Sequence, residues 1–432
     1  MQQVSRQRSY NLKYYSLLLS LFSGAVVFVT IFYLLSKQEV LVNSPLYKSK
    51  IKEEQTLWHK LSSNDTAEND TLVWHIAHYE HRDFPYGRPA IVMMIFHYHN
   101  KTLPSIWLKT CNDKYCDCLP PQWVPYGKLV NKIRKEVKYF FNAVFKIQPN
   151  TTSVHDSVDA YNDSNCTDSG LIIEDMPVYY ETKEKKIEFA VCLYKGIIAK
   201  DSFLLDMASW IEINRAIGVE HITMYDQDIG PNITRLLKNY EKEGFVKLID
   251  WKIYNPDFTI ANNGQLANAN DCFYRYLRRA KYVLFIDLDE LIIPHSTATL
   301  GDMMNSLSKF KNIVQYRFYN SFWHESQISL VNDTKELPIH FRRLNRTKNP
   351  PETIRYKNII RMEAAVRIGI HHIYQMKKGY KMYQVPEHVG LMHHYRTPDY
   401  ARKEEQLTDK ILSKYFNTVM KRLANVTLFT QV

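Results

Sequence analysis

The sequence predicts an α/β fold with a Rossmann-like, mostly parallel sheet, preceded by a β-rich accessory region and a single N-terminal transmembrane helix. An uncharged apolar run near the N-terminus predicts the transmembrane helix, and stretches rich in aromatic and β-branched residues predict the accessory region. From residue 187 strands alternate with helices, and such alternation builds right-handed βαβ units around a parallel sheet. We therefore divide the chain into a cytosolic tail (1–13), a signal anchor (14–35), a stem (36–70), the accessory region (71–185), the α/β domain (186–400) and a C-terminal helical tail (401–432).

The signal anchor is a run of 22 residues, 14–35, without a charged side chain. A helix rises ~1.5 Å per residue, so this run can span the ~30 Å hydrocarbon core of a bilayer. Arg6, Arg8 and Lys13 precede the run without any acid, so the positive-inside rule places the N-terminus in the cytosol. We expect a single-pass type II membrane protein with a lumenal α/β domain, because a cleaved signal peptide has a shorter apolar region.

Ten Asn-x-Ser/Thr sequons and six cysteines agree with a lumenal chain, in which up to three disulfides can form. The formal net charge is +11, and part of the excess lies in the cytosolic tail. The remaining excess suits anionic ligands such as nucleotide sugars or acidic glycans. The chain has no basic stripe and no RNA-binding aromatic motif, so we expect no nucleic-acid partner.

Apolar runs and glycines set the predicted elements in order. A buried strand at 89–99 lies in the accessory region, whose polar segment 149–170 we expect to be an exposed loop. In the α/β domain, Gly218 and Gly244 end the first two helices. The predicted strands are 187–194, 221–225, 245–251 and 282–286, and the predicted helices are 201–215, 232–243 and 265–280.

Acidic residues follow two of these strands. Asp226 and Asp228 follow the strand 221–225, and Asp287, Asp289 and Glu290 follow the apolar run 282–286. Burying an unpaired carboxylate costs several kcal/mol, so acids at such a place need a function or a partner. Ligands of open α/β sheets bind beyond the carboxyl ends of the strands, where these acids are expected to lie.

The pair Asp287 and Asp289 predicts a divalent metal site. Two like charges on one turn repel each other unless a cation lies between them, and Mg²⁺ or Mn²⁺ prefers such oxygens. A metal there neutralises the charge of a leaving diphosphate, which indicates sugar transfer from a nucleotide diphosphate. The alternative is a solvated turn in which the acids only cap the next element. An aspartate-nucleophile phosphatase is a poor match, because Leu291 stands where that motif usually has Thr or Val.

Several ordered motifs resemble glycosyltransferase family 92, also known as domain of unknown function 23. The resemblance covers about residues 185–400, with weaker likeness in AHYEHRD at 77–83. It rests on these stretches: WIEINRAIGVEHITMY (210–225), QLANANDCFYRY (265–276), KYVLFIDLDELIIP (281–294), RYKNIIR (355–361), IHHI (370–373) and HHYR (393–396).

This resemblance implies a GT-A-type nucleotide-diphospho-sugar transferase fold and metal-dependent, inverting transfer. In characterised members the transferred sugar is mostly galactose from UDP-galactose, and the acceptor is a glycan. Here we expect the acceptor to be a fucose- or galactose-terminated glycan on a glycoprotein or glycolipid. We also expect the protein to lie in the Golgi membrane. The sequence departs from the family pattern at Met362–Glu363, where Pro-Glu is common.

Metal ligands follow from the same resemblance. Asp289 is the first candidate, and Asp287 would reach the metal or the ribose. Folds of this type often add a late histidine, for which His394 is our choice and His371 or His372 are rivals. Each histidine is as well explained by a hydrogen-bonded structural role.

Four further residues are candidates for binding the donor. Lys357 and Arg361 would hold the diphosphate, unless they are surface charges. Asp226 and Asp228 would contact the uridine, unless they cap the helix that starts near residue 232.

An inverting transferase also needs a general base near the acceptor hydroxyl. Glu290, Asp271, Glu325 and Glu363 are candidates, and we favour Glu325 because the aromatic residues of 322–326 suit sugar stacking. Asp271 could instead be a structural partner on its helix, and Glu290 could support the metal ligands.

A catalytically silent glycan-binding or scaffolding protein on the same fold is the alternative function. It would keep the sheet and lose the metal chemistry. The intact Asp287 and Asp289 and the late histidines favour the enzyme.

Overall fold

The computed structural model describes residues of a single unit, Thr56–Val432. The predicted tail (1–13) and signal anchor (14–35) lie outside the described residues. None of the helices in the described ranges is long and apolar enough to cross a membrane. The described residues are 58–61, 71–74, 77–80, 89–98, 103–111, 116–130, 137–147, 157–179, 187–193, 195–251, 264–324, 337–348, 356–396 and 405–426.

Before residue 180 the described chain consists mainly of ten strands that form one sheet. The strands are β1 (Trp58–Leu61), β2 (Thr71–Trp74), β3 (Ala77–Glu80), β4 (Ala90–Tyr98), β5 (Trp107–Cys111), β6 (Cys116–Leu119), β7 (Pro121–Val130), β8 (Val137–Lys146), β9 (Ser157–Tyr161) and β10 (Leu171–Tyr179). Their order is β1-β2-β4-β3-β10-β9-β5-β6, and β8 pairs with both β4 and β7.

The central strand β4 is buried on both faces, because its side chains alternate between two cores. Ile91 and Met93 face the core of this sheet. Val92 and Met94 face a second core that includes the helix at residues 265–276. The β-rich sheet is therefore packed directly on the α/β part of the chain.

The polar composition of segment 149–170 predicts a loop, but part of this segment forms a strand. Residues 157–161 form β9, which pairs with β10 and β5. Val158 and Ala160 are buried in the sheet's core, so alternation over five residues was the signal that the loop prediction overlooked.

The remaining strands and helices begin at residue 187. The strands are β11 (Ile187–Leu193), β12 (Ile197–Ala199), β13 (His221–Ile229), β14 (Val246–Asp250), β15 (Ala280–Ile286), β16 (Glu290–Pro294), β17 (Ile313–Phe318), β18 (Asn320–His324), β19 (Asn345–Thr347), β20 (Lys357–Arg361), β21 (Ala365–Ile368), β22 (Ile373–Met376), β23 (Lys381–Gln384), β24 (Gly390–His394) and β25 (Gln406–Thr408). The helices are α1 (Leu204–Ala216), α2 (Pro231–Lys242), α3 (Gln265–Tyr276), α4 (Leu300–Ser306), α5 (Ile339–Arg342) and α6 (Ser413–Ala424).

An eight-stranded sheet forms the centre of this part, and the fold is mixed α/β as predicted. Strand β11 lies between β13 and β15 and is parallel to both, and β12 and β14 are parallel to β13. Strand β20 is antiparallel to β15 and β17. The carboxyl ends of β11, β13 and β15 therefore meet at one edge of the sheet.

Helices cover both faces of this sheet. In β15, Leu284 and Ile286 face the core that contains α1 and α2. Val283 and Phe285, which alternate with them, face the core that contains α3. Helix α3 ends at Tyr276, four residues before the predicted end, because β15 already begins at Ala280.

A smaller five-stranded sheet follows β15 in space, with the order β16-β24-β18-β19-β25. Only the turn at residues 287–289 separates β15 from β16, so the acidic turn lies at the junction of the two sheets. Strands β16 and β24 are antiparallel, and β24 is parallel to β18.

A buried charge network joins the β-rich sheet to helix α3. Both carboxylate oxygens of Asp271 accept hydrogen bonds: Oδ1 from His78 Nε2 at 2.8 Å, and Oδ2 from Tyr225 OH at 2.6 Å and Arg275 Nε at 2.7 Å. Burial alone would raise the pKa of Asp271, but the Arg275 guanidinium and the His78 hydrogen bond hold that pKa below its ordinary value. Asp271 is fully buried, so its negative charge is stabilised by these three hydrogen-bond donors and not by water.

We predict that Asp271→Asn lowers the free energy of unfolding by about 3–5 kcal/mol, because it removes the carboxylate charge at the centre of this buried network. Urea unfolding measures the change. Glu188→Gln is the matched control, since its ion pair with Lys281 is exposed and should contribute less than ~1 kcal/mol. Equal losses in the two variants would contradict a structural role for the Asp271 network.

The same network predicts a pH dependence of stability. Because the folded-state pKa of Asp271 is lowered, its stabilisation is present above the unfolded-chain pKa of ~3.9 and is lost as the pH falls below that value. The difference in unfolding free energy between the native chain and Asp271→Asn should therefore shrink as the pH falls from about 5 towards 3. A difference that grows with acidification would show that Asp271 is not held as a carboxylate.

Candidate functional site

The acidic turn closes on itself between β15 and β16. The backbone N–H of Glu290 donates to the carbonyl oxygen of Asp287 at 3.1 Å, and the backbone N–H of Asp287 donates to the Glu290 carboxylate at 2.9 Å. Trp210 Nε1 donates to the carbonyl oxygen of Glu290 at 2.7 Å. These bonds fix the turn so that Asp287, Asp289 and Glu290 lie at the carboxyl end of a buried strand.

Lys357 supplies the buried positive charge of the turn. Its Nζ lies 2.7 Å from Asp287 Oδ2 and 2.9 Å from Glu290 Oε2, and its side chain is 1% exposed. Strand β20 runs antiparallel to β15 with Asn358 opposite Phe285. Position 357, the first of β20, therefore arrives where β15 ends.

His394 closes the other side of the turn. In the β16–β24 ladder it lies opposite Glu290. Its Nε2 is 3.2 Å from Asp289 Oδ2, and its Nδ1 is 3.7 Å from Glu290 Oε1. One ligand atom from each of Asp289, Glu290 and His394 lies within 4.8 Å of the others. We call these three residues the metal cluster.

Electrostatics favour a cation at the metal cluster. Burial raises the pKa of Glu290, with Lys357 opposing and the nearby aspartates adding to that rise. Burial would also raise the pKa of Asp289, but the His394 hydrogen bond lowers it below its ordinary value. Burial opposes charge on His394, but the Asp289 hydrogen bond and the Glu290 charge raise the pKa of that imidazole. Three carboxylates, counting Asp287, thus share Lys357 and His394, and a divalent ion can take the place of the His394 proton.

The donor set fits Mn²⁺ or Mg²⁺. Carboxylate oxygens are the preferred ligands of these ions, and imidazole is acceptable to Mn²⁺. Asp289 is 41% exposed at the side chain, which leaves an open side toward solvent. Within the described part of the chain, His394 Nδ1 has no hydrogen-bond partner. A metal-bound histidine usually donates its other N–H to a carboxylate, and Glu290 lies in place for that role.

Adjacent histidines in the motif HHYR have different environments, because neighbouring residues of a strand point to opposite faces. His394 faces the acids. His393 is fully buried, stacks on Trp323 at 3.6 Å between ring centroids and contacts His295. Burial and the nearby His295 hold the pKa of His393 well below its ordinary value, so it is a neutral core residue.

The rival histidines lie outside the metal cluster. His371 Nδ1 donates to the carbonyl oxygen of Tyr356 at 3.2 Å, and burial lowers its pKa. His372 is exposed and its ring lies 4.9 Å from that of Tyr374.

Asp226 and Asp228 lie inside β13, whereas the sequence placed them after the strand. Strand β12 extends the ladder, with Ile197 opposite Asp226. Strand β11 lies between β13 and β15, and its registers with both place Asp226 level with Leu288, the second residue after β15, about 10 Å away across two strand spacings. Asp226 thus stays at the functional edge, and Asp228 is exposed beyond it.

Arg361 does not reach the metal cluster. It lies opposite Tyr282 near the start of β15 and donates to the Tyr282 hydroxyl at 3.3 Å. Four residues of extended strand separate it from Lys357, which is about 13 Å. Of the two basic residues predicted to hold the diphosphate, the structure brings only Lys357 to the acids.

The candidate bases occupy four different environments. Glu290 is buried within the metal cluster, and Asp271 is enclosed by its own network. Glu363 is 66% exposed and lies 3.7 Å from Arg361. Glu325 lies outside the described residues, directly after the last residue of β18 in the sequence.

Sequence reasoning missed three contacts that shape the metal cluster. The ring of Phe322 lies 5.0 Å from that of His394, the backbone N–H of Tyr395 donates to the carbonyl oxygen of Asp289 at 2.8 Å, and Trp210 anchors Glu290. Trp210 and Tyr395 belong to the motifs at 210–225 and 393–396. Their presence in these motifs was the one sign in the sequence that they could belong to the site.

The α/β part of the chain matches a known protein family. The model of "Glycosyltransferase family 92" matches residues 187–427. Beta-1,4-galactosyltransferase galt-1 of Caenorhabditis elegans is 24% identical over 254 residues, which cover 55% of this chain and 56% of that protein. Glycosyltransferase family 92 protein C33H5.2 of the same organism is 27% identical over 179 residues, covering 39% of this chain and 34% of that protein. The chain thus matches about half or less of the length of these relatives.

A solved structure is also similar in part. The S. aureus TarS fragment 1–349 in complex with UDP has 12% sequence identity and a TM-score of 0.25, with 41% of this chain and 47% of that chain covered. A similarity of that size supports no statement about the fold or the ligands of this chain.

We predict that Lys357→Met lowers the free energy of unfolding by about 3–5 kcal/mol, because it leaves the buried Glu290 carboxylate and the partly exposed Asp287 carboxylate without their shared cation. Arg361→Met is the matched control on the same strand and should cost no more than ~1 kcal/mol, since Arg361 lies 3.7 Å from Glu363, whose side chain is 66% exposed. Urea unfolding in the presence of a chelator gives both values. A larger loss for Arg361→Met would contradict the geometry described for β20.

Proposed function

The chain belongs to glycosyltransferase family 92, and from this premise we propose that it is a metal-dependent, inverting galactosyltransferase with a GT-A-type fold. The donor is UDP-galactose, and the acceptor is a glycan on a glycoprotein or glycolipid. One observation carries the proposal: Asp289, Glu290 and His394 converge at the carboxyl end of β15 with Lys357 beside them. The name of the galt-1 relative supports galactose as the sugar.

Asp289 and His394 would hold the metal, Mn²⁺ or Mg²⁺, and Glu290 would orient His394 through Nδ1. Asp287 accepts a hydrogen bond from Lys357 through Oδ2. We propose that it contacts either the ribose of the donor or the metal. The ion, when bound, supplies positive charge against the diphosphate that leaves.

Lys357 has a second role in this proposal. Its Nζ is held between Asp287 and Glu290 beside the metal cluster, and an ammonium there also attracts the donor diphosphate. Asp226, at the same edge of the sheet two strands away, is placed for the nucleoside.

In the transfer step an acceptor hydroxyl oxygen forms a bond to the anomeric carbon of galactose. The bond from that carbon to the diphosphate oxygen breaks, and its electron pair leaves with UDP. Attack from the face opposite UDP inverts the anomeric centre, and a general base takes the hydroxyl proton.

We propose Glu325 as the base because of its place in the sequence after β18. Phe322 of β18 lies opposite His394 in the five-stranded sheet, so β18 runs beside the metal cluster. Glu290 is a poor base by comparison, since it is 2% exposed and paired with Lys357. Asp271 is poorer, because three donors already occupy its carboxylate.

We further propose a Golgi location with a type II anchor at residues 14–35 and a lumenal catalytic domain. All six cysteines are paired, which suits an oxidising compartment. The pairs are Cys111–Cys116, Cys118–Cys166 and Cys192–Cys272.

A silent glycan-binding protein remains the second candidate, and one observation favours it. Asp287 is paired with Lys357 and Asp289 with His394, so the turn can be held by the chain's own residues. Such a protein would bind glycans without turnover.

UDP release distinguishes the two functions. We predict that the full chain in detergent releases UDP from UDP-galactose in the presence of Mn²⁺ and a galactose- or fucose-terminated glycan. Asp289→Ala should lower the rate about 100-fold or more, because it removes a metal ligand and with it several kcal/mol of charge stabilisation. Asp302→Ala, which changes an aspartate in the first turn of helix α4 outside the metal cluster, should stay within about twofold.

Release that persists in Asp289→Ala or in a chelator would contradict the metal site. Folded protein that binds glycans but releases no UDP from any UDP-sugar would establish the silent alternative.

A further inference from the structure

A cavity of about 240 Å³ lies where helices α1, α2 and α6 end. Helix α1 leads into the start of β13, and α2 leads into the start of β14. The cavity is therefore at the edge of the sheet opposite the metal cluster. It is smaller than the roughly 300–1,000 Å³ pockets that enclose drug-sized ligands, so it has room for one sugar ring and not for an oligosaccharide.

Paired charges line the cavity. The buried carboxylate of Glu212 accepts hydrogen bonds from Tyr240 OH at 2.8 Å and from Arg422 Nη1 at 3.4 Å. Arg215 Nη2 donates to Glu243 Oε2 at 2.7 Å. Two acids and two guanidinium groups cancel, so the lining selects neither an anion nor a cation.

A neutral, hydroxyl-rich ligand fits this lining. The Nε of Arg215 is buried, lies 3.7 Å from Glu212 Oε2 and makes no hydrogen bond in the described part of the chain, and its guanidinium is held over the Phe245 ring at 4.0 Å. A sugar hydroxyl can accept from Arg215 and donate to Glu212 or Glu243 at the same time.

Asn425 lies on the wall of the same cavity and begins the sequon Asn425-Val-Thr. It is the residue that ends helix α6, and its backbone N–H donates to the carbonyl oxygen of Arg422. Its side chain is exposed, and the structure shows no hydrogen bond from that amide to any described residue. A glycosylation acceptor therefore borders a cavity of the size and polarity of a sugar.

We propose that Asn425 carries an N-linked glycan whose first residue, N-acetylglucosamine, occupies this cavity. The Nδ2 atom of Asn425 forms a bond to the anomeric carbon of a lipid diphosphate-linked oligosaccharide. The carbon–oxygen bond to the diphosphate breaks, the lipid diphosphate leaves with the electron pair, and the amide loses one proton to the base of the glycosylating enzyme. The proposal rests on the lumenal placement proposed above and is independent of the transfer reaction.

The seated sugar has a structural consequence. Helix α6 is held on α1 by Val419 and Leu423, which are buried in the main core. A sugar between Arg422 of α6 and Glu243 after α2 adds polar contacts where that docking ends. The glycan then stabilises the attachment of the C-terminal helix to the α/β sheet.

Two substitutions at one position test the proposal in the full chain, expressed in eukaryotic cells. Thr427→Ser keeps the sequon and Thr427→Ala removes it, while both leave Asn425 in place. Mass spectrometry of glycopeptides should find Asn425 occupied in the native chain and in Thr427→Ser. The melting temperature of Thr427→Ala should be lower than that of Thr427→Ser by about 2 °C.

Glycan release from the folded protein tests the seating. Peptide N-glycosidase F should remove the Asn425 glycan about tenfold more slowly than the glycan at the exposed Asn232, because the first sugar is enclosed. Unfolding the protein should make the two rates equal.

Three outcomes would overturn the inference. If Asn425 carries no glycan while other sequons do, the proposed modification is wrong and the lumenal placement still holds. Equal release rates in the folded state together with equal melting temperatures would show an exposed glycan that does not use the cavity. Absence of glycan at every sequon would overturn the lumenal placement, and this inference with it, without bearing on UDP release.

Discussion

The ion pairs of Lys357 with Asp287 and Glu290 are the constraint on which the rest of the site depends. Acids at the end of a buried strand repel each other, and one buried ammonium offsets part of that repulsion. Because Lys357 neutralises only one charge, Asp289 pairs with His394 instead. In the proposed function, this pairing assigns Asp289 to the metal and Asp287 to the donor.

The fold meets this constraint by joining two sheets at the acidic turn. Antiparallel β20 delivers Lys357 to the end of β15, and antiparallel β24 delivers His394 opposite Glu290. Helix α1 adds the Trp210 indole beneath the turn. Three elements far apart in sequence therefore converge on four consecutive residues, and the β-rich sheet stabilises the same core from the α3 side through Asp271.

Local signals in the sequence predicted much of this arrangement. The apolar run before Asp287 identified β15 and its acidic end, and the HHYR motif provided His394 among three candidate histidines. Long-range pairing could not be read in the same way. Because β20 is antiparallel to β15, Lys357 lies at the acidic turn and Arg361 lies at the other end of the strand. Asp271 accepts a hydrogen bond from His78, which is 193 positions away in the sequence. Such roles depend on strand register and tertiary contacts, which one sequence does not encode in any short window.

Anomalous diffraction from crystals grown with Mn²⁺ and UDP tests the central claim most directly. The account predicts one manganese peak within bonding distance of Asp289 and His394 Nε2, about 2.0–2.3 Å from each, with Glu290 at the Nδ1 side of His394 and Lys357 still paired with Glu290. A peak elsewhere in the chain, or a UDP diphosphate bound at this edge with no manganese between it and Asp289, would contradict the account.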